Sequence, residues 1–470
     1  MNEIRQRLPR TREKRRGALT AFYGDSAALA DELEKEETRQ RIRTYSETGD
    51  DEVIGAIRLL GRIRGSVTII HSPPGCGAIK LEDELRAGGS PWLITNIEEN
   101  DSILGADDKL REAVDRAYRT WRPEIIFILA TPVVAINNDD IQSAATEKED
   151  QYGIPVVPVY AAGFRSKTAV YGYDLVFHAL AKYVLKKDPD ALPLPAVNLI
   201  GTAGTKTSHI IRDLDGAGIS YNNLSGSLSI AALKQSLNAF ASIAIDKDDS
   251  RFLLEWLEEA HGIVHLEETA PIGLSGTERW LLAAARSAGA AGSAEQARAY
   301  IEEAKAAAVT ALEWHRLDGA SVFIDLPPEQ AFGVAEFVEE LGGKVAALSL
   351  THADSSHVAR LREWAGRSNP QVFIQQGQPF EKINALEKLK PDLYIGRGEA
   401  AVWAARAGIA AAAVDSVDVY GFGGVQELAP LLAKALRNPS LSRYLSAGSS
   451  SYRAGWLSKS VNWHIKQEVK

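Results

Sequence analysis

Short apolar runs alternate with amphipathic stretches along the chain, and this alternation predicts strands and helices in turn. Residues that are mostly β-branched or otherwise apolar fill positions 67–70, 125–129 and 156–160, with the length and composition of buried strands. Before the second of these runs, apolar and charged residues recur at helical spacing over 107–121. The repeated order of strand, loop and helix predicts a parallel α/β sheet.

The same order begins again twice, which predicts three α/β units in series. A proline-rich run at Pro189, Pro193 and Pro195 marks the first boundary, and strands predicted at 196–201 and 320–325 open the second and third units. The predicted fold class is therefore α/β, with three Rossmann-like domains, each a mainly parallel sheet flanked by helices. The predicted segments are 1–40, an N-terminal arm and helix; 41–195, the first α/β domain; 196–312, the second; and 313–470, the third with a C-terminal extension.

Composition excludes several classes of protein. The 470 residues are 45% hydrophobic and 24% charged, which is typical of a globular protein rather than a disordered one. No apolar run is long enough to span a bilayer, so a membrane partner is not expected. The net charge of -9 argues against a nucleic-acid-binding surface. A single cysteine excludes a disulfide framework and favours a reducing, cytoplasmic compartment.

The N-terminal segment 1–16 is strongly basic, with seven Arg or Lys residues. No apolar region follows it, so it is not a secretory signal. Its charge predicts a mobile arm or a segment that wraps a partner, with a merely solvated tail as the alternative. Beyond the arm, Leu29 and Leu33 share one face of a charged helix predicted over 27–43.

The single cysteine, Cys76, lies in the sequence IIHSPPGCGA at 69–78. Two prolines and Gly75 predict a tight turn directly after a strand. Such a turn presents the thiol at the carboxyl end of a parallel sheet, where ligand-binding loops lie. The alternative is an inert, buried cysteine that acts as a small hydrophobic residue.

Two glycine-containing loops follow later strands. The loop at 201–207, GTAGTKT, could cradle a phosphate, but its spacing matches neither common nucleotide motif, so a plain turn is favoured. Arg397, in GRGE at 396–399, could bind an anion or a carboxylated ligand, or lie on a surface loop. The nine histidines show no metal-ligand spacing. A metal centre at Cys76 would therefore need ligands from another chain.

Four motifs, in order, resemble the first domain of nitrogenase component 1 subunits, a superfamily that includes catalytic, cofactor-scaffold and dark-operative protochlorophyllide reductase subunits. HSPPGC at 71–76 resembles the family's His-Gly-Pro-x-Gly-Cys cluster loop. The segment 95–110 resembles Thr-x-x-x-Glu-x-Asp…Gly…Lys-Leu, and 131–141 resembles a second cluster loop, Cys-Pro…Gly-Asp-Asp-Ile. GFR at 163–165 resembles the end of that domain. The resemblance implies a ligand cleft between three α/β domains.

The chain departs from the family's cluster-bearing catalytic subunits, in which three cysteines serve an interfacial cluster. Cys76 is the one that carries over; Thr131 stands where the second cysteine would be, and the first falls in 48–51, where Asp51 could act as an oxygen ligand. The regions that resemble the active-site cofactor ligands, 245–247 and 414–419, contain no cysteine and no histidine respectively. Attachment of a molybdenum-type cofactor is therefore not expected.

The resemblance implies an oxidoreductase subunit that receives electrons from an ATP-dependent iron protein. Electron transfer would run through a [4Fe–4S] cluster shared with a second component 1-type subunit, in a heterodimer, a heterotetramer or a homodimer. A small-molecule substrate would be reduced. The implied metal ligand is Cys76, and the implied cofactor-binding residues are Cys76, Gly75, Thr131, Arg165 and Arg397.

Two alternatives remain open from the sequence. One is a scaffold subunit for the biosynthesis of a nitrogenase metal cofactor, which would hold a cluster precursor. The other is a cluster-free binding protein on the same fold. The sequence specifies neither the substrate nor an α-type or β-type role, because similarity of fold does not carry activity.

Overall fold

The protein is described by a computed structural model that covers residues 9–35, 41–44, 50–75, 89–201, 206–288, 293–375, 378–445 and 452–467. It is a mixed α/β fold with several mainly parallel sheets flanked by helices, as the sequence predicts. Two compact units are present. The first comprises Met1–Arg16, Asp50–Thr205 and Asn222–His265, and the second comprises Gly17–Gly49, Lys206–Tyr221 and Leu266–Lys470. The finer division at 40, 195 and 312 stays a prediction.

The first unit contains two four-stranded sheets. The first sheet is fully parallel, and its strands are, in spatial order, Trp92–Ile94, Ser66–His71, Ile125–Ala130 and Val156–Tyr160. The second sheet has the order Val264–His265, Ala239–Ala244, Leu194–Gly201 and Tyr221–Ser225. A short parallel pair joins Ile63–Arg64 to Leu228–Ser229. The two central strands of the first sheet are buried along their whole length, which explains the continuous apolar sequence of Ile125–Ala130 and the aliphatic residues of Ser66–His71.

The helices of the first unit cover both of its sheets. They are Thr11–Arg16, Glu52–Leu60, Glu99–Leu104, Asp107–Trp121, Pro132–Asn137, Ile141–Tyr152, Ala169–Tyr183, Ile230–Gln235 and Lys247–His261, with a 3₁₀ turn at Ser236–Asn238. One pair touches backbone to backbone: a Cβ on Gly55 would lie 1.9 Å from the carbonyl oxygen of Ala169, and one on Gly172 would lie 2.1 Å from that of Glu52. Only glycine permits this approach.

The start of the described chain is fixed against the first unit. Thr11–Arg16 forms a short helix in which the Arg15 guanidinium is fully buried. It makes ion pairs with Asp174 at 2.5 Å and with Asp248 at 2.8 Å. The prediction of a mobile arm is therefore wrong for residues 11–16, because a buried arginine with two carboxylate partners cannot move freely.

The second unit is built on a six-stranded sheet. Its strands are, in spatial order, Phe22–Asp25, Gln371–Ile374, Lys344–Leu350, Ser321–Asp325, Leu393–Gly396 and Ala410–Ala413. The first pair is antiparallel and the others are parallel. The helices are Ser26–Leu33, Ser208–Gly216, Gly273–Ser287, Ser293–Trp314, Pro328–Glu340, Val358–Arg367, Pro379–Leu389, Gly398–Arg406, Gly421–Arg437, Ser440–Leu445 and Ala454–Leu457, with a 3₁₀ turn at Ser355–His357.

The helix predicted over 27–43 is shorter in the structure. Asp25 caps it by accepting from the Ala28 amide, and it ends at Leu33. Arg41–Arg43 is instead a strand, antiparallel to Ile465–Gln467. The Arg43 side chain also pairs with the buried Glu381 at 2.7 Å. These contacts with distant parts of the chain outweigh the helix propensity of the local sequence.

Among the described residues, every helix is too short or too polar to cross a lipid bilayer.

Candidate functional site

The motifs of the first domain meet at one edge of the first sheet. Its four strands are parallel, so the loops that follow them lie at the same edge. We refer to residues 72–75 as the first loop and to residues 131–140 as the second loop. Cys76 follows Gly75 directly but lies outside the described residues. Gly75 itself is exposed, and its Cβ position faces open space.

His71 connects the loops of this edge from inside the protein. It is the last residue of its strand and is fully buried. Its Nδ1 lies 3.0 Å from the Thr95 hydroxyl, and its Nε2 lies 3.3 Å from a carboxylate oxygen of Asp139 in the second loop. Burial lowers the pKa of His71 to about 4 and raises the pKa of Asp139, to which the charge of Asp107 adds. The imidazole is therefore neutral at pH 7.

Thr131 makes the second link to His71. It is fully buried, and its hydroxyl donates to the main-chain carbonyl of His71 at 2.8 Å. Although Thr131 occupies the N-cap position of Pro132–Asn137, its side chain makes no capping bond. The hydroxyl is thus used within the chain. Iron–sulfur clusters need thiolates, so a cluster fits this chain only if Cys76 supplies one thiolate and other chains supply the rest.

Thr95 fixes the first loop. Its hydroxyl accepts from the Ser72 amide at 3.0 Å while it contacts His71. Farther along the same motif, Lys109 donates to the Asn96 carbonyl at 3.1 Å and to Asp101 at 2.6 Å. These bonds hold the short helix Glu99–Leu104 beside the sheet edge. The polar residues of the 95–110 motif therefore shape a loop.

Asp51 and Glu52 have structural partners. One oxygen of Asp51 accepts from the amides of Val53 and Ile54, which caps the helix Glu52–Leu60. Glu52 is fully buried and accepts from the Gly163 amide. Burial raises the pKa of Glu52, and the hydrogen bonds from the Gly163 and Arg165 amides partly oppose this. Asp51 serves the helix as a cap, which accounts for its place in the sequence without a metal.

The segment 163–165 packs against the second loop. Gly163 has a positive φ of 74°, and a Cβ at this position would lie 2.5 Å from the ring of Pro132. Only glycine adopts this positive φ readily and also lets the Pro132 ring approach so closely. Phe164 and Arg165, which follow, are exposed, so the guanidinium of Arg165 is accessible at this edge.

Large apolar side chains are exposed around the two loops. The helices Glu99–Leu104 and Pro132–Asn137 contact each other, and segment 163–165 contacts Pro132. We call the exposed set the apolar patch; its exposed fractions are Ile103 81%, Leu104 86%, Ile136 71%, Tyr160 46% and Phe164 68%. Grouped exposure of this kind is typical of surfaces that bind another protein, a membrane or a ligand, whereas scattered single residues need no such explanation.

Arg397 belongs to the other unit and is exposed. It precedes the helix Gly398–Arg406 and donates to Gln330 at 2.5 Å. The Gly398 amide at the start of that helix donates to Asp415 at 2.5 Å. A carboxylate of the chain thus occupies the place where an anion could bind. The glycine-rich loop at 202–205 lies outside the described residues.

Sequence reasoning missed the roles of His71, Thr95 and Asp139. All three stand inside the motifs that it singled out, but nothing in the spacing indicates that they touch. The signal was the histidine itself, since an ionisable residue at the end of a buried strand needs a partner.

Comparisons with known proteins agree with this arrangement. The pattern of the nitrogenase component 1 type oxidoreductase family matches residues 52–436. The nitrogenase molybdenum-iron protein alpha chain of Methanosarcina barkeri is 27% identical over 304 residues, 62% of this chain and 57% of that protein. The nitrogenase iron-molybdenum cofactor biosynthesis protein NifE of Rippkaea orientalis is 24% identical over 415 residues, 85% of this chain and 87% of that protein.

Solved structures agree on the fold. A structure described as nitrogenase Cp1 at pH 5 superimposes with a TM-score of 0.73 at 18% identity and covers 93% of this chain and 97% of that chain. At this identity the likeness concerns the fold alone. The family pattern, in contrast, spans most of the sequence, so the chain belongs to the nitrogenase component 1 type oxidoreductase family.

Proposed function

We propose that this chain is one subunit of a nitrogenase-like component 1 oxidoreductase and works, in the cytoplasm, with a second component 1-type subunit. The observation that carries the proposal is the apolar patch beside the loop that leads to Cys76. A subunit with a single thiol cannot hold a cluster alone, and it exposes apolar surface where a partner would bring further thiolates. The partner is a different component 1-type chain or, in a homodimer, a second copy.

Cys76 is the residue that would bind the shared cluster. A [4Fe–4S] cluster supplies one-electron transfer when bound. Gly75 beside Cys76 leaves room for a loop of the partner, since its Cβ position faces open space. Arg165, exposed at the same edge, would offer a positive charge to an anionic group. The electrons would come from an ATP-dependent iron protein and would reduce a small molecule.

A second candidate is a scaffold subunit that holds a metal-cluster precursor. It is favoured by the match to the NifE protein, which covers 85% of this chain. It is also favoured by the absence of a cysteine in 245–247 and of a histidine in 414–419, because a scaffold must release its cargo.

The first test is anaerobic purification of the full chain with the component 1-type protein encoded beside it. Iron and sulfide are measured, and low-temperature EPR compares the wild type with Cys76→Ser and Thr131→Val. We expect a [4Fe–4S] signal that is lost in Cys76→Ser. Thr131→Val should keep the signal, because the Thr131 hydroxyl bonds to His71. A well-folded complex without iron would overturn both candidates and leave a cluster-free binding protein.

Electron delivery separates the two candidates. The complex is mixed with a reduced ATP-dependent iron protein, and oxidation of that protein is followed with and without ATP. A reductase subunit requires ATP-dependent oxidation that Cys76→Ser abolishes. A scaffold would instead bind a cluster precursor and pass it to an apo acceptor protein, which an assay of acceptor metal content detects.

The apolar patch makes a separate prediction about assembly. Ile136→Glu places a charge on the patch, and we expect the affinity for the partner to fall at least about tenfold, because burying an unpaired carboxylate is costly. Analytical ultracentrifugation or light scattering measures this. Leu192→Glu is the matched control, since Leu192 is 85% exposed and outside the patch. Equal affinities for the two variants would remove the patch from the interface.

A further inference from the structure

One buried residue, His71, contacts two of the segments that meet at the first-sheet edge, 95–110 and 131–140. The His71 ring contacts Thr95 through Nδ1 at 3.0 Å and Asp139 through Nε2 at 3.3 Å. Its carbonyl accepts from Thr131 at 2.8 Å. The helix Pro132–Asn137 is therefore tied to His71 at its start by Thr131 and after its end by Asp139.

The hydrogen-bond inventory assigns the proton of the ring. The Thr95 oxygen already accepts from the Ser72 amide, and its single hydroxyl proton has Nδ1 at 3.0 Å as its nearer acceptor, with the Ser72 carbonyl at 3.4 Å. When the hydroxyl donates to Nδ1, the neutral ring carries its own proton on Nε2. That proton faces the Asp139 carboxylate. Among the described residues, neither Nε2 nor the facing oxygen of Asp139 makes a hydrogen bond of standard geometry, so their 3.3 Å approach is the one polar contact that each of these two atoms has.

The backbone makes this contact possible. Asn138 has a positive φ of 58°, which ends the helix and turns the chain so that Asp139 points inward. The next residue, Asp140, is exposed and caps Ile141–Tyr152 by accepting from Ser143 at 3.0 Å. The two neighbouring carboxylates thus have different partners: Asp139 contacts the buried histidine, and Asp140 caps the next helix.

We propose that His71 is a positioning residue for the second loop, and that its Nε2–H contact with Asp139 holds Pro132–Asn137 beside the first loop. The helix carries Ile136 of the apolar patch, so His71 would also set the partner surface; this last step alone rests on the proposed function. His71 acts through the loop and does not itself touch a partner or a cofactor.

Two isosteric variants test the proposal in the full chain. Gln reaches the position of Nε2 and can still donate to Asp139, whereas Asn reaches only the position of Nδ1 and keeps the Thr95 contact. Hydrogen–deuterium exchange is read at the amides of Ala135, Asn138 and Asp139, which bond to Thr131 and Val134. We expect exchange at least about tenfold faster in His71→Asn, the factor expected when a buried polar contact to a charged group is lost. His71→Gln should stay within about threefold of the wild type.

The helix Lys247–His261 of the same unit serves as the internal control for folding. If it is protected in both variants and the second loop exchanges equally in both, His71 only fills space and the proposal is overturned. The proposal is also overturned if ¹⁵N-histidine NMR finds the neutral His71 ring protonated on Nδ1. A parallel measurement of partner affinity should show a loss in His71→Asn alone. Altered exchange with unaltered affinity would show that His71 does not set the partner surface. Absence of any complex would count against the proposed function.

Discussion

Several charged residues of this protein neutralise one another in its interior. The cluster of Arg15, Asp174, Asp248 and Arg251 shows this most clearly, since Arg15 bridges both carboxylates and Arg251 lies 3.2 Å from Asp248. Burial raises the pKa of Asp174 to about 7. A buried charge that loses its partner costs far more than the pair gains, so each member depends on the others.

Arg15→Met should therefore destabilise the protein in a pH-dependent way. The folded pKa of Asp174 lies above its unfolded value of about 3.9, so the stability that this carboxyl contributes is complete below that value and is lost as the pH rises through about 7. We expect a loss of about 3 kcal/mol at pH 8 and a smaller loss at pH 6, where Asp174 can take up a proton. Urea unfolding at both pH values measures it.

The double variant Arg15→Met/Asp174→Asn is the control for that experiment. An amide at position 174 cannot ionise, so the difference between pH 6 and pH 8 should disappear. An Arg15→Met variant that loses equal stability at the two pH values would show that the carboxyl of Asp174 is not the titrating group.

At the scale of elements, the first unit depends on helices that approach more closely than most side chains allow. Gly55 and Gly172 bring the backbones of Glu52–Leu60 and Ala169–Tyr183 into contact. Glu52 at the start of the first helix accepts from Gly163, which in turn packs against Pro132. Glu52 and Gly163 therefore connect this pair of helices to the second loop.

Gly172→Ala tests this contact. The new methyl group would lie 2.1 Å from the Glu52 carbonyl oxygen, so the helices must separate, and we expect a loss of at least about 2 kcal/mol. Differential scanning calorimetry should show a lower melting temperature. Gly366→Ala is the control, because a Cβ at Gly366 meets open space, and alanine there should raise stability by up to about 1 kcal/mol. Similar melting temperatures for the two variants would contradict the predicted clash.

At the scale of the whole molecule, the two compact units draw on interleaved stretches of chain. The second unit includes residues near both ends: Arg41–Arg43 pairs with Ile465–Gln467, and Glu381 accepts from both Arg43 and His464. Removing either end leaves a buried carboxylate with fewer partners.

Deletion of residues 452–470 should therefore destabilise the strand Arg41–Arg43, which is distant in sequence but pairs with the deleted part. Without the Ile465–Gln467 strand and His464, we expect trypsin to cleave after Arg41 and Arg43 at least about tenfold faster, because proteolysis follows local opening. Mass spectrometry of early fragments measures the rates. Lys186, which is exposed in a loop of the first unit and is not followed by proline, reports the background rate. Unchanged cleavage after Arg43 would mean that the antiparallel pair does not stabilise this segment.

The sequence predicted those parts of the fold that depend on local pattern. The strands Ser66–His71, Ile125–Ala130 and Val156–Tyr160 were predictable because short runs of apolar or β-branched residues mark them. The strand Arg41–Arg43 was not, because its partner follows more than four hundred residues later. The site could not be predicted for the same reason. His71 and Asp139 stand in separate motifs, and only the parallel pairing of the strands Ser66–His71 and Ile125–Ala130 brings them together.

The antiparallel pairing of Phe22–Asp25 with Gln371–Ile374 has a consequence for biosynthesis. A ribosome releases the first of these strands long before it has made the second, so the early strand waits without its partner for most of translation. Any message cut short before residue 371 yields a polypeptide with an unpaired strand, which invites degradation or aggregation. Full-length synthesis is thus a condition for a completed second unit.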